Sequence, residues 1–177
     1  MENKTKVFFH KPQPEDLWFR EALLAGRERA EHGGAREGTV PFAYGGGDGW
    51  YDLWVRNPER RFYRYIATGK SRSFAGEAAW QYDDGRKIYV AEVTIMARCR
   101  GQGIGGRALE LLCEAARKAG IRELYGDIAA GDPAAGLLIR HGFREESRAD
   151  GIITLKKELD NREGFTDAEQ ILPQASV

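Results

Sequence analysis

Long hydrophobic runs are missing from this chain of 177 residues. No stretch approaches the roughly 20 apolar residues that a membrane-spanning helix needs, which excludes a helical membrane protein. Residues 1–6 are polar and lead straight into Val7-Phe8-Phe9, without the apolar core of a secretory signal, so a cytoplasmic location is expected. Cysteine is scarce, with only Cys99 and Cys113. Two thiols build no disulfide framework and suit a reducing compartment. The three histidines, His10, His32 and His141, stand far apart, and no Cys-x-x-Cys or Cys/His cluster accompanies them, so no metal site is expected. Net charge is absent too. With 27 basic and 27 acidic residues, nothing draws the whole chain to nucleic acid or to a membrane, and neither is expected as a partner.

What is present is a globular balance, 42% apolar and 31% charged, in a length that suits one domain with its own core. A single domain over residues 1–159 and a polar tail over 160–177 are expected. Val7 to Phe9 reads as a first strand. Pro14 opens a helix in the tolerated first position, Glu15 and Asp16 favour its positive end, and Gly26 serves as its stop. Residues 26–49 include Gly45-Gly46-Gly47 and show no periodicity. They read either as a lid over an acceptor site or as a plain connection.

A helical segment over 50–56 ends before Asn57-Pro58, and strand-like runs follow at 62–67, 74–82 and 88–96. Turn residues between them, Gly69 and Asp83-Asp84-Gly85, make these runs antiparallel neighbours. Residues 103–119 carry the clearest helical pattern, an apolar stripe of Ile104, Ala108, Leu111, Leu112, Ala115 and Ala119, with Glu114 and Lys118 paired outside. A strand at 124–129, a helix opened by Asp132-Pro133 and ended at His141-Gly142, and a strand at 152–159 complete the chain. His141 reads as a helix-end residue that favours the negative terminus. The order predicts a mixed α/β sheet with helices on both faces.

The chemistry concentrates in residues 95–106, Ile-Met-Ala-Arg-Cys-Arg-Gly-Gln-Gly-Ile-Gly-Gly. An apolar strand ends, two arginines follow, and four glycines open the long helix. Glycine lets backbone approach a ligand closely, and the helix start leaves N–H groups pointing outward. With Arg98 and Arg100 nearby, this is a site for a phosphate or pyrophosphate. A plain strand-to-helix turn with solvated arginines is the bland alternative. Gly101, Gly103 and Gly106 also satisfy the dinucleotide pattern, with Asp127 near the distance of a ribose-binding acid. Three antiparallel strands precede the loop, however, and repeated βαβ units are missing. The stretch also has no Gly-Lys-Ser/Thr.

Arg100-Gly101-Gln102-Gly103-Ile104-Gly105 resembles the pyrophosphate loop of the GNAT superfamily of acetyltransferases, and Ala134, Leu137 and His141-Gly142-Phe143 resemble its second signature. The resemblance implies a GNAT-like fold, with a mostly antiparallel central sheet and one splayed parallel strand pair. It implies acetyl-coenzyme A as co-substrate. The amides of Arg100, Gly101, Gln102, Gly103, Ile104, Gly105 and Gly106 would hold the pyrophosphate, and backbone near Ile95 and Met96 would pair with the pantetheine arm. A bulge around Val93 and Thr94 would offer an N–H to the thioester oxygen. Two positions depart from the pattern. Gly131 takes the usual asparagine slot, where neighbouring Asp132 can serve the helix start, and Leu138 takes the slot of a proton-donating tyrosine.

An amine acceptor must lose a proton before it attacks, so a base is needed. Glu92, in the otherwise apolar run Tyr89-Val90-Ala91-Glu92-Val93, is the first candidate, since carboxylates are rarely buried without a partner or a task. A pairing with Arg64 is its structural alternative. Glu77 comes second and Asp127 third. Trp50, Tyr51, Trp54, Phe62, Tyr63 and Tyr65 either line an acceptor pocket for a flat or cationic group or pack the core. Three functions stay open: acetylation of a small-molecule amine, acetylation of a protein or peptide amine, and a catalytically weak acyl-coenzyme A sensor. A homodimer stays open as the assembly.

Overall fold

The computed structural model describes residues 6–31, 48–69 and 73–159. Seven strands, β1 (Val7–His10), β2 (Arg61–Thr68), β3 (Ser73–Asp83), β4 (Ile88–Ile95), β5 (Glu123–Ala129), β6 (Arg144–Ala149) and β7 (Ile152–Glu158), form one sheet in the order β1-β2-β3-β4-β5-β7-β6. Only β4 and β5 run parallel; the other neighbours are antiparallel. Four helices flank the sheet: α1 (Leu17–Glu31), α2 (Asp48–Tyr51) passing into a π-helical turn over Asp52–Arg56, α3 (Ile104–Lys118) and α4 (Ala134–Arg140). This is the mixed sheet with helices on both faces that the element order predicts.

Period-two alternation divides the core in two. One face sends Phe62, Ala78, Trp80, Leu124 and Leu155 against α3. The other sends Tyr63, Tyr65 and Ala79 against Phe19 and Leu23 of α1 and Trp50, Trp54 and Val55. The aromatics around residue 50 therefore pack the core: Trp54, Tyr63 and Tyr65 are fully buried. Phe62 lies on the α3 face, stacked on Trp80 at 5.6 Å and 12°.

Three expectations need correction. Gly26 does not end α1, which runs to Glu31. One interior glycine costs only about 1 kcal/mol, and Arg27-Glu28-Arg29-Ala30 beyond it favour helix. The stripe of α3 is also rotated. Leu109, Cys113 and Ala116 are buried with Ile104, Ala108 and Leu112, whereas Leu111 and Ala115 are half-buried and Ala119 is exposed. Both stripes have helical spacing, and packing against the sheet and α4 selects one of them. Finally, β6 was not anticipated, because Arg-Glu-Glu-Ser-Arg-Ala is exposed throughout and carries no apolar alternation. Its signal is the turn that follows. Asp150 (φ 50°) and Gly151 (φ 73°) both take the left-handed conformation of a tight hairpin.

The lid-or-connection segment lies mostly outside the described residues, as do residues 160–177. Among the described residues, no helix is long and apolar enough to cross a membrane.

Candidate active site

The β3–β4 ladder pairs without a break from Asp83↔Ile88 to Gly76↔Ile95. The bulge expected around Val93 and Thr94 is therefore not seen in that ladder. Just beyond it, the Met96 N–H donates to the Ala75 carbonyl at 2.8 Å. Antiparallel peptide groups alternate direction along a strand, so Val90, Glu92, Thr94 and Met96 point their backbone groups toward β3. Ala91, Val93 and Ile95 point theirs the other way, toward β5. There the parallel pairing is short, only Tyr89↔Leu124 and Val90↔Tyr125. Past Val90 the two strands splay, and the outward peptide groups of Val93 and Ile95 line the gap.

That parity revises one expectation. Met96 offers no free backbone group, because its N–H is on Ala75 and its carbonyl accepts from Cys99 N at 2.8 Å. Ile95, expected beside it, faces the gap, and Val93 joins it. The Ile95 carbonyl accepts from Arg100 Nε at 3.0 Å, which folds the arginine back over the strand end.

The gap opens into a cleft of about 240 Å³. Its apolar wall includes Leu109, Leu137, Leu138 and Phe143, and its carboxylates are Glu92, Asp127 and Asp132. Leu138 packs so closely on β5 that a Cβ on Gly126 would stand 2.6 Å from its Cδ2. Asp132 serves the helix start, as expected: its Oδ1 accepts from Ala134 N at 2.8 Å.

The four glycines of the loop divide into two pairs. Gly101 and Gly103 have φ of 73° and 75°, and a Cβ on either would enter open space. These two shape the cradle and keep it clear for a ligand. Gly105 and Gly106 are packing residues instead. A Cβ on Gly105 would lie 3.3 Å from Leu137 Cδ2, and one on Gly106 would lie 2.9 Å from the His141 ring. Ile104 is buried, so only its backbone can face a ligand. Gln102 turns its amide to the Arg98 carbonyl at 3.2 Å. The opening amides of α3 have no intrahelical acceptor. An anionic diphosphate fits this cradle.

The base candidates share the face opposite α3. Register places Tyr65, Glu77 and Thr94 in one row across β2, β3 and β4, and Tyr63, Ala79 and Glu92 in the next. Glu77 is only 4% exposed and accepts a short hydrogen bond from the Tyr63 hydroxyl. Glu92 is half-buried and lines the cleft, with the Thr94 hydroxyl donating to it at 3.3 Å. The Asp127 side chain is 3% exposed and meets Arg86 Nη2 at 2.7 Å. It also accepts from the Thr154 hydroxyl at 2.8 Å. Arg64 faces the other side of the sheet, donating to the Tyr63 carbonyl at 2.7 Å and lying over the Phe62 ring.

The sequence matches the model of the Acetyltransferase (GNAT) family over residues 6–143. The chain belongs to the GNAT acetyltransferase family. No curated protein matches it. Solved structures share its fold at low identity. Spermidine N-acetyltransferase from Vibrio cholerae, in complex with CoA and spermine, superposes with a TM-score of 0.66 at 12% identity, covering 86% of this chain and 95% of that one. A GNAT-family acetyltransferase from Listeria monocytogenes gives 0.62 at 13% identity, covering 88% and 95%. yncA from Salmonella typhimurium, solved with acetyl-CoA, gives 0.60 at 17% identity, covering 97% and 99%.

Within this GNAT acetyltransferase, the dinucleotide reading of the glycine pattern fails. Asp127 is engaged by Arg86 and Thr154, and the strand before the loop has an antiparallel neighbour. The Glu77 charge marks the electrostatics of the aromatic face. Burial, reinforced by the Glu77 charge, holds the Tyr63 hydroxyl well above its ordinary pKa. Tyr65 is raised for the same two reasons. The Arg20 guanidinium opposes both shifts and lies 3.9 Å over the Trp50 ring. Arg86 is raised, first by its bond to Asp127. Burial raises the Cys113 thiol, which is consistent with an inert core residue. Among the described residues, no group of three His, Cys, Asp or Glu could hold a metal.

Proposed function

We propose that this acyltransferase moves the acetyl group of acetyl-coenzyme A onto a primary amine of a small molecule, by direct attack in a ternary complex. The observation that carries this reading is the continuity of one path. The glycine cradle, the outward peptide groups of Ile95 and Val93, and the Glu92 carboxylate follow one another along β4 and the loop after it. The bound coenzyme supplies a thioester at the end of its arm. In this reading the amides from Arg100 to Gly106 hold the pyrophosphate, and Ile95 and Val93 pair with the arm. The Val93 N–H would donate to the thioester carbonyl oxygen, where negative charge grows.

Glu92 takes the proton from the bound ammonium so that the neutral amine can attack, because Glu77 does not line the cleft and, of the carboxylates that do, Asp127 is bound to Arg86 and Asp132 caps α4. Glu77, buried among aromatics, supports the acceptor side with negative charge suited to a cationic amine. We assign the activity to one domain over residues 1–159 and to the cytoplasm, where the free thiols Cys99 and Cys113 persist.

Thermal shift and turnover test the reading together. Acetyl-coenzyme A at about 100 times its Kd should stabilise the protein by about 2.7 kcal/mol, with NADH and ATP far behind. Free thiol should then appear when a panel of amines is added. Equal stabilisation by NADH would overturn the cofactor assignment. Binding without thiol release from any amine or peptide would leave a sensor.

A further inference from the structure

His141 closes α4 with its ring pressed against the first turn of α3, where Gly106 has no side chain. A Cβ there would stand 2.9 Å from both Cε1 and Nε2 of the imidazole. The last glycine of the loop is therefore explained by a histidine and not by a phosphate. His141 Nδ1 lies 2.9 Å from the Leu137 carbonyl. A carbonyl only accepts, so Nδ1 carries the hydrogen, and the nitrogen left to gain or lose a proton is Nε2, directed at α3. The charged groups around it come from three elements. Glu110 Oε1 of α3 lies 3.8 Å from Nε2, and Glu110 also accepts from Arg107 at 2.8 Å. Lys157 of β7 donates to the His141 carbonyl at 2.6 Å. Arg140 of α4 points back along its own helix toward Gly136.

We infer that His141 is a proton-linked positioning residue for the coenzyme. Protonated at Nε2, it places a positive charge behind the first turn of α3, beside the Glu110 carboxylate. The pyrophosphate then binds more tightly below neutral pH. The inference rests on the coenzyme A reading above. The charge acts from behind the helix, with the Gly106 backbone between it and the cradle, so a modest gain is expected, about threefold in Kd. Linkage requires that protonation at Nε2 and pyrophosphate binding favour each other by the same factor.

Calorimetric titration with dephospho-coenzyme A, whose pyrophosphate keeps its charge across the range, tests this between pH 5.5 and 8.5. Wild type should bind about threefold tighter at pH 5.5 than at pH 7.5, and His141→Gln should show no such slope. Pantetheine, which lacks phosphate, should show none with either protein. NMR titration of the His141 ring, with and without dephospho-coenzyme A, reads the midpoint in the wild-type protein itself. A flat wild-type profile, an equal slope in His141→Gln, or an unmoved midpoint overturns the role of His141 alone. Absence of dephospho-coenzyme A binding at every pH overturns the coenzyme reading with it.

Discussion

The Met96 amide hydrogen lies on the Ala75 carbonyl at 2.8 Å, and this bond orients the peptide groups of the whole strand that precedes it. Because direction alternates along an antiparallel strand, Val93 and Ile95 face the gap beside β5 while Glu92 keeps its backbone in the ladder. The cleft thus has backbone groups along one wall and the Glu92 carboxylate in its lining.

The cradle is tested by two glycines that share a conformation. Gly103 (φ 75°) and Gly120 (φ 79°) both take the left-handed region, and a Cβ on either meets nothing within 4 Å. Gly103→Val and Gly120→Val should each lose about 1–2 kcal/mol or more of stability from backbone strain. Only Gly103→Val should lose coenzyme A affinity, by at least about a hundredfold, because only there would the side chain exclude the phosphates. Calorimetry on both folded variants decides it; retained affinity in Gly103→Val would place the pyrophosphate elsewhere.

Glu92→Gln keeps the shape of the side chain and removes the proton acceptor. With chemistry limiting, kcat should fall about a hundred- to ten-thousandfold, and coenzyme A affinity should hold, since the arm meets backbone. Raising the pH should recover part of the loss by deprotonating the amine in solution. Asp127→Asn should behave differently, lowering the melting temperature through the lost Arg86 pairing while kcat stays within about threefold. A Glu92→Gln enzyme within threefold of wild type would move the base to Glu77.

Among the described glycines, Gly76 has the least room for a side chain. A Cβ there would lie 2.0 Å from the Thr94 carbonyl oxygen, and backbone cannot swing aside as a side-chain tip can. Gly76→Ala should cost about 3 kcal/mol or more, roughly 6–12 °C in melting temperature for a chain of this size. Scanning calorimetry measures it, and a drop of only a degree or two would mean the strands separate more easily than this spacing allows.

Alkali should unfold the protein through its buried tyrosines. Tyr63 and Tyr65 are both raised above the ordinary pKa by burial and by Glu77, so the folded state holds their protons longer than the unfolded chain does. The stability this represents is complete below about pH 10 and is lost as pH climbs toward the folded values, at about 1.4 kcal/mol per pH unit for each tyrosine. Tyr63→Phe should halve that slope in urea melts taken above pH 10. Near neutrality it should cost about 1–3 kcal/mol, because buried Glu77 loses a donor. An unchanged alkaline slope would show that Tyr63 does not titrate with unfolding.

What the sequence determined by itself is what local physics controls. The run of glycines after an apolar strand marks an anion cradle because backbone conformation and helix-end amides are properties of a few neighbouring residues. The Glu114–Lys118 pair, bonded at 2.7 Å, follows from helical spacing alone. The Asp132 cap on Ala134 follows from capping chemistry. Glu92 stood out because a carboxylate in an apolar strand is anomalous in any fold.

Tertiary structure decided everything that depends on partners distant in the chain. Which peptide groups face the cleft depends on register with β3, and register cannot be read from β4. Met96 was expected in the site on position, and the Ala75 carbonyl, which lies on another strand, removed it. Gly105 and Gly106 share a motif with Gly101 and Gly103, yet Leu137 and His141 account for them, because closeness between α3 and α4 is a property of their packing. Asp127 looks like a free acid in the sequence; the fold brings Arg86 and Thr154 to it from 41 and 27 residues away. Local rules identify what each residue can do, and only three-dimensional neighbours determine which of those roles remain available.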